Sequence, residues 1–311
     1  MKFYFAPMEG VTGYIYRNAH HSFFDNIDKY FAPFIVANQG CSLRSREIND
    51  ILPQNNEGLC LIPQLLTNNA EDFIRTSKKI MQLGYNEINL NLGCPSGTVV
   101  SKNKGSGFLS KRRELDLFLD EVFAHSVTKI SIKTRIGKDH PEEFYELMKI
   151  FNKYPLEELI IHPRVQKDYY KNSPNLTIFR EALTLSKNPV CYNGDIFTVD
   201  ACNEFTAAFP GVETLMIGRG LLANPGLLAD IESGIKLDKR LLKEFHDKIY
   251  EDYKKVLFGD RNVLFKMKEV WFYMIHVFSD NAKYAKKIKK AERLYDYDEA
   301  VSSLFREQDI Y

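Results

Sequence analysis

The chain has 311 residues, enough for one large domain with an ample core and a smaller one beside it. Its 42 Lys and Arg nearly balance 41 Asp and Glu, for a formal net charge of +1, so any polyanion site must come from local clustering. No apolar run is long enough to span a bilayer, and five cysteines (Cys41, Cys60, Cys94, Cys191, Cys202) without a CxxC pair speak against a disulfide framework or a structural zinc site and for a reducing cytoplasm.

In chain order the sequence repeats strand, loop, helix. Met1-Lys2-Phe3-Tyr4-Phe5-Ala6-Pro7 reads as a short apolar strand broken by proline, not as a signal peptide. Strands are predicted at residues 3–7, 30–37, 59–66, 87–93, 129–135, 158–164, 189–195 and 214–219. Helices with one apolar face are predicted at 70–83, 114–123, 142–151 and 199–209. Eight strands alternating with helices suggest a parallel (β/α)8 TIM barrel. A doubly wound open sheet is the competing arrangement, disfavoured because no Gly-rich dinucleotide fingerprint follows the first strand. After Gly234 only helical patterns remain, at 241–258, 263–278, 282–295 and 297–305. The expected division is therefore a barrel domain at 1–236 and an all-helical domain at 237–311.

In such barrels catalytic groups sit at the carboxyl ends of strands. Here nearly every predicted strand ends in polar residues or glycine. These are Pro7-Met8-Glu9-Gly10, Gln64, Asn91-Leu92-Gly93-Cys94, Lys133-Thr134-Arg135, His162-Pro163-Arg164, Asn193-Gly194-Asp195 and Gly218-Arg219-Gly220. One at a time, each has a bland reading. Cys94 alone would be a small buried hydrophobe, and Asn193-Gly194 a turn. Gathered at one rim they suggest an active site. Gly93-Cys94-Pro95 stops its strand abruptly and fixes the thiol on a tight turn, beside a loop (Lys102, Lys104, Gly105, Ser106, Gly107) expected to be mobile and cationic.

The last two strand ends lie where barrels commonly hold a phosphate. Glycine lets backbone N–H groups approach it, and Arg219 adds charge. A short helix from Leu221 would assist, ended or reset at Asn224-Pro225. Gln64 and Lys133 across the mouth fit a flat phosphorylated cofactor whose ring gains negative charge on reduction. Flavin mononucleotide meets that description, though spacing alone does not identify it.

These residues also carry a family resemblance. Asn91-Leu92-Gly93-Cys94-Pro95, followed by Val100, Lys104, Gly105, Gly107 and Leu109, is the most specific block. Ala6-Pro7-Met8-Glu9-Gly10-Val11-Thr12 precedes it. Lys133-Thr134-Arg135-Ile136-Gly137, His162-Pro163-Arg164, Asn193-Gly194-Asp195-Ile196 and Gly218-Arg219-Gly220 follow in order. In these blocks the chain resembles the tRNA-dihydrouridine synthases, departing from them at Gly13, Phe108 and Pro163, where that family usually has aspartate, a small residue and often glycine.

The resemblance implies an FMN enzyme that reduces the C5=C6 bond of specific uridines in tRNA, in the D-loop, with NADPH (or NADH) as reductant. Pro7, Met8 and Glu9 would line the flavin. Gln64 and Lys133 would meet its ring edge with His162 nearby, and Asn193, Gly194, Asp195, Gly218 and Arg219 would hold its phosphate and ribityl chain. Hydride would pass from flavin N5 to C6, and Cys94 would donate a proton to C5. An ordinary thiol, with a pKa of about 8.5, is mostly protonated near neutrality. Asn91 would bond the uracil edge, with the target base turned out of its stack. No metal, membrane or stable protein partner is implied.

For tRNA binding, the run Lys283 to Arg293 places Lys283, Lys286, Lys287 and Lys290 at helical spacings of three and four, with Lys289 beside them. Lys266 and Lys268 precede Trp271 and Tyr273 on the helix before. Basic charge with aromatics suits folded RNA, and Tyr170 could contact it near the barrel mouth. Alternative readings are a flavin barrel reducing a small molecule such as a pyrimidine or an enone, and a non-catalytic RNA-binding module that kept the fold.

Overall fold

A computed structural model describes residues 1–24, 26–38 and 44–311; Cys41 lies outside the described residues. Ten strand segments, all paired in parallel, make one sheet. They are β1 (Lys2–Phe5), β2 (Lys29–Phe31), β3 (Ile35–Val36), β4 (Leu61–Ile62), β5 (Gln64–Leu66), β6 (Glu87–Leu92), β7 (Lys129–Gly137), β8 (Leu159–Val165), β9 (Val190–Tyr192) and β10 (Thr214–Ile217). Their order is β3-β5-β6-β7-β8-β9-β10-β1-β2-β4.

The two ends of that order meet, because β4 and β5 are halves of one strand interrupted at Pro63. Proline has no N–H for the ladder, and its carbonyl still accepts from Asn89 N at 2.9 Å. The predicted strand 30–37 is likewise split, with β2 pairing β4 and β3 pairing β5. The ten segments are therefore eight barrel strands, and the fold is a TIM barrel followed by a helical C-terminal part.

The strands are nearly continuous in burial because both faces are covered. On β6, Ile88, Leu90 and Leu92 are fully buried on one face, while Glu87, Asn89 and Asn91, equally hidden, bond to side chains of neighbouring strands. Inside the barrel, Tyr4, Ala6, Phe31, Ile62, Ile160, Cys191 and Met216 pack together. The predicted helices are present as Ala70–Met81, Arg112–His125, Glu143–Phe151 and Val199–Ala208. The first is capped by Asn69, whose side chain accepts from Asp72 N at 2.8 Å. Tyr14–Phe23, Ser45–Ile51 and Leu176–Leu185 are helices the sequence did not reveal. At the family departures, Gly13 is the N-cap of Tyr14–Phe23 and supplies no side-chain cap, and Phe108 is buried against Phe118 with ring centroids 5.5 Å apart.

The chain forms two compact units. One comprises Met1–Pro7, Asp28–Asp195 and Thr206–Met216; the other comprises Met8–Ile27, Ile196–Phe205 and Ile217–Tyr311. In the second, helix Tyr14–Phe23 packs on helix Lys239–Val256, with Tyr16 and Phe24 edge-on to Phe245. Asp260–Met274, Ala282–Lys290 and Leu294–Glu307 belong to the same unit, with Tyr297 Oη accepting from Trp271 Nε1 at 2.7 Å.

Two expectations need correction. The third tail helix stops at Lys290 and does not run to residue 295. The chain turns at Ala291-Glu292-Arg293, and Lys268 Nζ donates to the Ala291 carbonyl, a cation closing a helix C-terminus. The stretch expected to be a mobile loop is a packed 3-10 helix, Gly105–Ser110, whose Gly105 to Leu109 are buried.

Candidate active site

In the first unit the carboxyl ends of β5 to β9 bring together Gln64, Asn91, Cys94, Lys133, Arg135, His162, Arg164 and Asn193. Register explains much of it. Asn91 pairs with Lys133 across β6 and β7, and Arg135 with His162 across β7 and β8. Side chains two apart share a face, so Lys133 and Arg135, like His162 and Arg164, point the same way.

Cys94 is partly exposed on the turn that ends β6, and its backbone is held from both sides. Asn91 Oδ1 accepts from Gly93 N at 3.0 Å and Cys94 N at 2.9 Å. Arg135 Nε donates to the Gly93 carbonyl at 3.0 Å. The Cys94 carbonyl accepts from Ser106 Oγ at 2.7 Å and Ser106 N at 3.1 Å. Gly105, at φ +54°, permits this approach, because a Cβ there would lie 2.9 Å from the Cys94 carbonyl oxygen. With both oxygen lone pairs on backbone N–H groups and one N–H on Gln64 Oε1 (2.7 Å), Asn91 keeps a single N–H, a donor only, for anything bound at the mouth.

The mouth is strongly cationic. Among the described residues Arg135 donates only to backbone carbonyls, those of Gly93, Val165 (2.9 Å) and Tyr169 (2.7 Å). Arg164 forms a bidentate pair with Asp195, which neutralises it. Lys133 makes neither a hydrogen bond nor an ion pair with any described residue. Desolvation, then the neighbouring Arg135, pushes its pKa down to about 8. Some of its surface still meets solvent through the open mouth, which softens that push. His162 donates from Nδ1 to the Asn193 carbonyl at 2.6 Å, since a carbonyl only accepts. Its Nε2 lone pair therefore faces Arg164 at 3.4 Å. Burial, then Arg135, Lys133 and Arg164, holds its pKa well below the usual value, so the ring is neutral. Tyr170 stands edge-on to His162, with the Arg135 guanidinium 5.6 Å from its ring centre.

The remaining expected residues fall as follows. Pro7 ends the first segment of this unit, and Gly194 follows Asn193, whose amide donates to the Met216 carbonyl at 2.7 Å. Met8, Glu9, Gly218 and Arg219 belong to the second unit. There Met8 to Thr12 form a turn in which the Met8 carbonyl accepts from Val11 N and Thr12 N, both at 3.0 Å. Gly218 precedes helix Arg219–Ala223, and the Arg219 guanidinium lies over Phe197. Asn224-Pro225-Gly226 then separates it from helix Leu227–Ser233.

Lys266 donates to the Gly10 carbonyl at 2.6 Å and to Glu269 at 2.7 Å; with Lys268 on Ala291, both ammonium groups have partners within the protein. Lys283, Lys286, Lys287 and Lys290 line one groove of about 900 Å³ with Arg293 and Asp296, while Lys289 is exposed on the same helix. Tyr273 is half-buried against Phe272.

Sequence reasoning passed over Asn89, Ser131, Ser106 and the holding role of Arg135. For Asn89, Ser131 and Arg135 the signal was polar residues at every second position of strands covered on both faces, Glu87, Asn89, Asn91 and Ser131, Lys133, Arg135; Ser106, in the 3-10 helix, had no such signal.

Comparison with known proteins bears on the same residues. The family model for dihydrouridine synthase (Dus) matches residues 4–308. A probable tRNA-dihydrouridine synthase of Staphylococcus aureus (strain COL) is 26% identical over 230 residues, 72% of this chain and 69% of that protein. The tRNA-dihydrouridine(16) synthase of Pasteurella multocida (strain Pm70) is 32% identical over 171 residues, 53% of each. Among solved structures, morphinone reductase superposes with a TM-score of 0.54 at 11% identity, covering 76% of this chain and 87% of that one. A variant of NCR from Zymomonas mobilis gives 0.53 at 13% identity, covering 78% and 90%. These structural likenesses show the fold.

Proposed function

The chain belongs to the dihydrouridine synthase family, and from that premise we propose that it is an FMN-dependent enzyme reducing the C5=C6 bond of uridines in tRNA. The reaction balances as uridine plus NADPH plus a proton giving dihydrouridine and NADP⁺. Bound at the barrel mouth, FMN would supply the hydride for uracil C6.

The observation that carries this reading is Lys133, a cation deep in the mouth without an anionic partner among the described residues. Such a group is costly to hold charged unless a ligand completes it. A ring that becomes anionic on reduction does so, with the Gln64 amide beside it. Asn193, Gly194, Asp195, Gly218 and Arg219 are proposed for the phosphate and ribityl chain, and Pro7, Met8 and Glu9 for lining the flavin.

Cys94 is the proposed proton donor to C5. Its backbone is pinned by Asn91, Arg135 and Ser106, so the thiol is aimed without loop reordering, the condition under which a general acid is effective. Asn91 can offer its remaining N–H to a carbonyl acceptor of the base. The uridine must leave its stack to enter. The helical region 237–311 is proposed as the tRNA-binding domain, with Lys283, Lys286, Lys287 and Lys290 as its phosphate-facing row.

The test is anaerobic. The purified protein should be yellow, release FMN on denaturation and, once reduced by NADPH, be reoxidised by tRNA that lacks dihydrouridine. Reoxidation by free uridine as fast as by tRNA would overturn the RNA substrate. A colourless protein that binds no FMN would overturn the flavin.

A further inference from the structure

The barrel interior beneath Cys94 is crossed by a row of hydrogen bonds that the proposed reaction does not itself use. At the floor, Lys29 Nζ and Ser131 Oγ donate to the two oxygens of Glu87, at 2.7 and 2.8 Å. Asn89 Nδ2 donates to Ser131 Oγ at 2.9 Å, and Gln64 Nε2 to Asn89 Oδ1 at 2.7 Å. Asn91 Nδ2 donates to Gln64 Oε1 at 2.7 Å, and Asn91 Oδ1 takes the N–H groups of Gly93 and Cys94. All five side chains from Glu87 to Asn91 in this row are buried.

The two ends give the row a direction. A carboxylate paired with lysine only accepts, and a backbone N–H only donates. Each amide between them must turn its nitrogen toward the floor and its oxygen toward the Cys94 turn. Reversing Gln64 or Asn91 places oxygen against oxygen on one side and N–H against N–H on the other; reversing Asn89 sets its N–H groups against those of Gln64 and draws the Ser131 hydroxyl away from the Glu87 carboxylate. Relief then requires the next to reverse, until Asn91 presents N–H groups to the N–H groups of Gly93 and Cys94. Three amides therefore share one orientation, set from both ends.

We propose that Asn89 and Ser131 are positioning residues, which transmit the acceptor character of Glu87 through Gln64 to Asn91 and so fix the turn that aims Cys94. The consequence for catalysis rests on the dihydrouridine synthase reading; the hydrogen-bond direction does not.

The test uses the full-length, FMN-loaded protein with ¹⁵N-labelled asparagine and compares Ser131→Val with Ser131→Thr. The two have the same shape, and only threonine keeps the hydroxyl. In Ser131→Val the side-chain NH₂ signals of both Asn89 and Asn91 should move, although Asn91 does not touch residue 131. Flavin reoxidation by tRNA should fall on the order of tenfold or more with KM for tRNA unchanged, because the donor is misaimed while RNA still binds. Ser131→Thr should restore both. An Asn91 signal that stays put while that of Asn89 moves would overturn the proposal, as would equal impairment by valine and threonine. Should Ser131→Val not fold, Ser131→Cys, a weak donor and acceptor, should give the same two displacements at smaller amplitude, and their absence would again overturn it. If wild-type protein does not reduce uridine in tRNA, the functional reading fails, and the NMR comparison still decides the direction of the row.

Discussion

The duties proposed for Cys94 and Lys133 are separable, so they make separable predictions. Cys94→Ala should keep the flavin and its reduction by NADPH, and lose on the order of 10²–10⁴-fold in reoxidation by tRNA, the worth of a positioned acid. Stopped-flow reoxidation measures it, and a wild-type rate would return this cysteine to a packing role. For Lys133 the pH dependence has a definite sign. Its folded pKa of about 8 lies below the ordinary 10.5, so across that window the unfolded chain binds more protons and stability of the FMN-free protein rises with pH. An anionic ligand needs the charged form. Affinity for reduced FMN, whose ring is the anion in question, should thus weaken as pH climbs from about 8 to about 9.5, and Lys133→Met should bind it more weakly with that slope removed. A slope that survives in the variant would mean that another group titrates. At the barrel floor, burial raises Glu158 to about 7, and its Oε2 has no hydrogen-bond partner among the described residues. The folded state therefore holds a proton that the unfolded state gives up between the ordinary 4.5 and about 7, and stability falls as pH rises through that window. Glu158→Gln should stabilise the protein at pH 8 by on the order of 3 kcal/mol, the attraction to Lys29 being already contained in the net shift, and hardly at all at pH 5. Chemical denaturation at the two pH values checks it.

At the scale of elements, the 3-10 helix Gly105–Ser110 is the outer half of the Cys94 site. Gly105→Ala should destabilise by ~1–2 kcal/mol from its left-handed backbone alone. Crowding against the Cys94 carbonyl adds to that and should slow reoxidation by tRNA. Gly84, at φ +97° with nothing within 4 Å of where a Cβ would stand, is the control. Gly84→Ala should show the backbone cost without the kinetic one. If both alanine variants react equally fast, the segment does not position Cys94. This element also shows what the sequence could and could not tell. Alternation in Glu87 to Leu92 announced a strand, and Gly93-Cys94-Pro95 announced its end, because those signals are local. Gly105 to Leu109 looked like a loose loop, because small residues mark both a flexible segment and one pressed against another backbone. Only the contact with Cys94 tells them apart. The same limit explains the split strands, since Pro63 reveals its break only once a neighbouring ladder needs the missing N–H. It also explains Asn89, which reads as an outward polar residue until both faces of β6 are seen to be covered.

For the whole molecule, a net charge of +1 conceals two local concentrations of positive charge. One is the barrel mouth, where Lys133 and Arg135 have no carboxylate partner among the described residues. The other is helix Ala282–Lys290, whose Lys283, Lys286, Lys287 and Lys290 line one groove while Tyr284 and Ile288 are buried on the opposite face. Burial of those two fixes the helix's rotation, so the lysines keep a common direction without ion pairs to any described residue. A row of this kind attracts phosphates and releases counterions, which makes its contribution depend on salt. Lys286→Glu with Lys290→Glu should therefore raise KM for tRNA steeply at low ionic strength. Reduction of the flavin by NADPH, a small-molecule step in the barrel, should be unaffected. The difference from wild type should narrow as salt rises, because screening weakens the wild-type attraction as well. The checking measurement is KM for tRNA across a salt series for both proteins, with helicity compared by circular dichroism. Equal KM values at low salt, with the helix intact, would show that the lysine row is only a solvated face and that tRNA is held elsewhere.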